Sequence, residues 1–241
     1  MIQKQFVAGM VAVLTAGFFA SAALAEEGVV RARLSYGLAS YTSPSAFADI
    51  SSGYSTLGLG VTYIFPSNKF IDFATRMSVG GASYNAGAVS GGSVASDQPF
   101  SRNENTLTVG MPLEYGLQGN AGLFTANTTY KLAQFGQFSQ KMTGLTAGVG
   151  KGFPLNEGKS GAVGVNGAVA LLNATHTNAL GNSLSSNLSY GISMGATYNY
   201  MYTKNIGVSA DAKFQSYFIK YSALSGDERI LSTSVSLVGQ F

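Results

Sequence analysis

Between Thr106 and Leu117 a large apolar side chain occupies every odd position: Leu107, Val109, Met111, Leu113, Tyr115 and Leu117. Thr, Gly, Pro or Glu fills every even one. A helix would repeat every 3.6 residues, so a period of two marks extended strand. The pattern recurs from Leu188 to Tyr202 and, with more exceptions, at Val30 to Tyr41, Ser55 to Phe65, Phe70 to Val79, Leu123 to Gln134, Thr143 to Phe153, Ala162 to Leu172, Ile206 to Tyr217 and Ile230 to Phe241. That makes ten strands, with eight or twelve as alternatives because the Gly-rich strands at 143–153 and 162–172 are faint.

Alternation alone fits a soluble sandwich as well as a barrel, and composition decides between them. Only 10% of the 241 residues are charged, against about 25% in a typical soluble domain. The face opposite the large apolar residues is mostly Gly, Ser, Thr, Asn and Ala, as at Gly58 and Gly60, Gly110 and Gly116, Gly148 and Gly150, and Ser189 to Gly195. Small uncharged residues suit a confined interior, whereas a sheet facing water carries charge for solubility. After the first thirty residues no apolar run approaches the roughly 18 residues of a spanning helix. The large apolar face is therefore read as lipid-facing. In hydrocarbon every backbone N–H and C=O must be paired, which forces a sheet to close on itself. The expected fold is all-β, a transmembrane antiparallel up-and-down β-barrel over residues 26–241, apolar outside.

The amino terminus predicts export. Lys4 precedes an apolar stretch from Phe6 to Ala22, and Ala23-Leu24-Ala25 forms a small-x-small cleavage site before Glu26-Glu27; residues 1–25 read as a cleaved signal peptide. Short connections at Pro66 to Lys69, Gln118 to Ala121, Thr203 to Asn205 and, somewhat longer, Pro154 to Gly161 alternate with long ones at Thr42 to Gly53, Ser83 to Asn103 and Asn173 to Ser185. Short turns on one rim, long loops on the other and an even strand number are the pattern of a barrel with both ends in the periplasm. Tyr63, Phe65, Tyr115, Phe153, Tyr198, Tyr200 and Tyr202 lie beside the short turns, where an interfacial aromatic girdle belongs.

The chain stops on a strand, Thr233 to Phe241, with Val235 and Leu237 at alternate positions and a terminal Phe. This resembles the assembly signal of Gram-negative outer-membrane β-barrel proteins, small porin-like members included; Gly239 and Thr233 are smaller than the residues common there. The resemblance implies that Val235, Leu237 and Phe241 are read by the barrel-assembly machinery. It further implies residence in the outer membrane of a Gram-negative bacterium, with membrane lipid and lipopolysaccharide as surroundings.

Chemistry is sparse. The absence of Cys excludes disulfides, thiolate nucleophiles and Cys-ligated metal sites, and a net charge of +3 without a basic block gives no footprint for nucleic acid. His176, the one histidine, has no carboxylate within ten residues and reads as a solvated loop residue, so neither an enzyme nor a cofactor is expected. Alternation places Arg31, Arg33, Asp72, Arg76, Glu114, Lys131, Asp211 and Lys213 on the inner face. They form either a plug of mutually paired charges or a channel lining. Any pairing of Asp72 or Arg76 crosses strands, and Pro112 suggests a bulge inside the wall. The many inward Gly, Ala and Ser residues suggest unfilled volume, favouring a narrow water-filled passage. The function expected is a small porin-like channel for passive passage of small solutes or ions. The alternative is a structural or adhesin-type barrel binding through its outer loops, and the least favoured is a membrane-embedded hydrolase built on His176.

Overall fold

The computed structural model describes residues 28–43, 50–86, 98–132, 136–155, 160–221 and 225–241. The signal-peptide segment and parts of the expected long loops lie outside them. Among the described residues eleven strands run in chain order: β1 Val29–Ser43, β2 Ile50–Ile64, β3 Phe70–Ala86, β4 Gln98–Pro112, β5 Leu117–Leu132, β6 Gly136–Pro154, β7 Gly161–Thr177, β8 Ser183–Ser185, β9 Ser189–Met201, β10 Ile206–Lys220 and β11 Ser225–Gln240. Neighbours pair antiparallel, β1 also pairs with β11, and β6 with β7, so ten strands form a closed ring. Short β8 folds back on the end of β7, pairing Thr175 with Ser185 and Thr177 with Ser183. Much of the loop expected at Asn173 to Ser185 is thus hairpin.

Closure is staggered. Paired residues followed once around the wall lead from Val30 through Ile71, Ala121, Val169 and Ser216 back to β1 at Thr42, twelve residues further along. With about 3.3 Å of rise per residue and about 4.8 Å between strands, that offset tilts the strands by about 40°.

The exterior is apolar. Leu34, Tyr36 and Leu38 of β1, Leu107, Val109 and Met111 of β4, Tyr190, Ile192 and Met194 of β9, and Leu231, Val235 and Leu237 of β11 are all exposed. Phe153, Tyr198, Tyr202 and Tyr115 are exposed near the short turns, and Tyr63 meets Phe65, and Tyr200 meets Tyr202, edge to face. Such a wall is solvated by hydrocarbon rather than water. Towards the long connections it turns polar, at Asn105 on β4, Thr125 on β5, Thr143 on β6 and Asn173 on β7. The sheet therefore extends past the apolar belt, and strands are longer at that end than alternation indicates.

One expected turn is displaced. β4 ends at Pro112, whose missing N–H ends the ladder, and Glu114–Gly116 forms a single 3-10 turn with Tyr115 and Gly116 at positive φ. Leu113 N–H donates to Leu117 O at 2.8 Å, and Gln118 is already paired in β5. Alternation ran through the reversal because Leu113, Tyr115 and Leu117 are all apolar. Pro112 marks the end of a strand, and the register from Phe100 to Pro112 against β5 is unbroken.

Candidate functional site: the barrel lumen

The lumen has two unlike halves. Near the short turns it is charged and partly wet. Arg31 donates to Gln240 at 2.9 Å. Arg33 of β1 reaches across β2 to an ion pair with Asp72 of β3, passing over Gly60, where a Cβ would lie 2.9 Å from the guanidinium. Asp72 also accepts from Thr62 at 2.5 Å, and Asp211 accepts from Thr197 at 3.0 Å. Arg76 of β3 donates to Ser232 of β11 at 3.1 Å, and Lys213 of β10 lies opposite Ser232 in register. These six residues project inward.

Glu114 and Lys131 do not. Glu114 is exposed in the 3-10 turn after Pro112, because the chain reverses where the alternation was extrapolated. Lys131 is exposed and shares the parity of outward Leu123 on β5; Phe124, Ala126, Thr128 and Tyr130 are the inward, buried residues of that strand.

Towards the long loops the lumen is dry and packed. Arg102 of β4, only 2% exposed, donates through Nε to Glu104 at 2.9 Å, and through Nη1 to Thr128 at 2.5 Å and Glu228 at 3.2 Å. Glu228 of β11, 1% exposed, accepts from the Tyr41 hydroxyl at 2.7 Å. Four strands are joined by this cluster, two of them on opposite walls. Around it Phe100 packs against Tyr41 and Tyr54 at ring-centre distances of 5.2 and 5.1 Å, while Phe124 of β5 stacks on Tyr217 of β10 at 5.7 Å. Met142 and Leu172 are buried in the same cluster.

The inward glycines are what admit these rings. A Cβ on Gly144 would fall 2.6 Å from the Phe124 ring, and one on Gly191 2.4 Å from Tyr217. Small residues expected to leave volume for water here make room for aromatics of the adjacent strand, Phe124 pairing with Gly144 and Tyr217 with Gly191. Sequence reasoning missed Arg102, Glu104 and Glu228, though all three lie on the inward parity of Thr106 and Ser232; the strands were stopped two to four residues too soon.

His176 is not a solvated loop residue. It sits near the end of β7, half-buried, with ring contacts to Tyr130 at 6.3 Å and Phe138 at 5.8 Å. Outward neighbours Asn173, Thr175 and Thr177 place it above the apolar belt, and burial holds its pKa below the usual 6.5. It lines a cavity of about 20 Å³ with Tyr41, Gln140, Tyr221 and Glu228, room for about one water. Both oxygens of Glu228 are already engaged, by Tyr41 and Arg102.

At the seam, Val235 and Leu237 point outward, and Phe241 exchanges backbone hydrogen bonds with Val30 at 2.9 and 3.0 Å.

No family model and no curated protein matches this sequence. Among solved structures, the outer membrane protease OmpT from Escherichia coli superposes with a TM-score of 0.64 at 11% identity, covering 89% of this chain and 97% of OmpT. Weaker likenesses are the translocator domain of the autotransporter NalP from Neisseria meningitidis (TM-score 0.45, 12% identity, 96% and 97% covered) and Neisserial surface protein A (0.40, 14%, 87% and 95%). The fold is that of a Gram-negative outer-membrane β-barrel.

Proposed function

We propose that this protein is a closed barrel of the Gram-negative outer membrane, a rigid scaffold whose upper strands stand clear of the bilayer and present the long loops to partners outside the cell. One observation carries the reading. The buried Arg102–Glu228 bridge and its aromatic surround cross the lumen at a level where the adjacent outer residues, Ser101 and Asn103, are already polar. Water and small solutes find no path through such a packed layer. Planar-bilayer recording from the refolded mature barrel tests it. No steady conductance is expected, and regular single-channel steps would overturn the proposal.

Passive passage of small ions is the second reading, favoured by the charged, partly exposed turn-side vestibule around Arg33 and Asp72. It requires the Arg102 layer to move as a gate, so conductance would appear in the wild type under voltage and not only in Arg102→Ala. His176, packed among rings at a one-water cavity, gives little support to a hydrolase. The orientation proposed has both mature termini in the periplasm, with Val235, Leu237 and Phe241 available to the assembly machinery. An epitope inserted between residues 92 and 93 should then be labelled on intact cells.

A further inference from the structure

The outer wall carries a dent. On β5, β6 and β7, paired residues form rows: Leu123, Leu145 and Leu171, and one step towards the turns Ala121, Ala147 and Val169. The two alanines are flanked by larger side chains, including Leu107 and Val109 of β4, and leave an apolar depression of about 510 Å³. It opens outward, within the lipid-facing belt.

Directly above, the rows become polar. Thr125, Thr143 and Asn173 come first, then Asn127, Lys141 and Thr175. Lys141 is exposed and has no ion-pair partner among the described residues. It stands four residues above Leu145 on the same face of β6, about 13 Å along the strand. A hydrocarbon recess thus lies beneath a cation and amide and hydroxyl groups, at the depth where a lipid changes from tail to head.

We propose that this face is a binding site for one phosphorylated, acylated lipid of the leaflet at the loop end, an acyl chain lying in the dent and a phosphate on Lys141. A chain in the recess meets wall atoms on several sides rather than one, which raises its dispersion contacts over those of a chain on a flat wall. The ammonium supplies preference for an anionic head. The site is independent of whether the lumen conducts.

The test is native mass spectrometry of the refolded barrel in zwitterionic detergent, titrated with a bisphosphorylated acyl-disaccharide lipid or with phosphatidylcholine. One phosphorylated lipid should be retained in preference to phosphatidylcholine. Lys141→Gln should weaken its retention roughly fivefold, Ala147→Phe, which fills the recess, should abolish it, and Ala212→Phe on the outer wall of β10 should leave it unchanged. Equal retention of the two lipids, or retention by Ala147→Phe matching the wild type, would overturn the site. So would a two-barrel species lost on Ala147→Phe, which would assign the dent to a second copy of the chain.

Discussion

The two halves of the lumen each hold an arginine–carboxylate ion pair, in different surroundings. Arg33 and Asp72, near the turns, keep 36% and 18% of their side-chain surface exposed, whereas Arg102 and Glu228, near the loops, keep 1% each. Water shares the load at the first pair and is excluded from the second. A desolvated pair depends on every one of its partners, and Arg102 has Glu104, Thr128 and Glu228 arranged around it for that reason. Between the two lie Arg76, opposite Glu104 in register, and Lys213, whose charge also acts on Glu104. One barrel thus carries a vestibule and a stopper, distinguished by which inward positions hold rings.

The sharpest way to break this contrast is Arg102→Ala, which takes from Glu228 its cation in the dry half. A loss of about 3–5 kcal/mol is expected, read from urea titration followed by circular dichroism. The facing of the wall comes next: Met194 is 59% exposed on the outer side of β9, and Met194→Arg should cost roughly 2–4 kcal/mol in bilayers while Ser193→Arg is better tolerated; equal penalties would invert the barrel. In the wet half Arg33→Ala should cost about 1 kcal/mol or less after screening, and a loss matching that of Arg102→Ala would erase the distinction between halves. The smallest effect concerns His176. Because burial lowers its pKa, the unfolded chain takes up a proton before the folded one does as pH falls below about 6.5. Stability should decline on acidification through that window, and His176→Gln should flatten that part of the profile in melting curves at pH 7.5 and 5.

The wall was legible because a period of two is a property of the backbone: Leu107, Val109 and Met111 face out wherever the strand lies, and ten such segments close the ring. The loop-side ends were not, since once Asn105, Thr125, Thr143 and Asn173 replace leucine outside, polar faces polar and the contrast fades while the ladder continues. Arg102 and Glu228 were lost with those ends. The turn at Leu113 to Gly116 was missed for the opposite reason, an apolar rhythm persisting through a reversal. The filling of the lumen lay furthest from view. Tyr217 covers Gly191 through the β9–β10 register alone, but whether it meets Phe124 depends on a twelve-residue stagger accumulated over ten pairings, and no single strand contains that information.

The seam between β1 and β11 makes neighbours of Arg31 and Gln240, whose side chains bond across a separation of 209 positions. Until those distant segments meet, both carry a bare edge, and each orphaned amide left in hydrocarbon costs several kcal/mol. A half-wound intermediate consequently has nowhere comfortable to wait inside the membrane. Insertion is therefore tied to ring completion, and a variant that weakens only the last few pairings would starve the cell of finished product long before it measurably softened the barrels that had already closed.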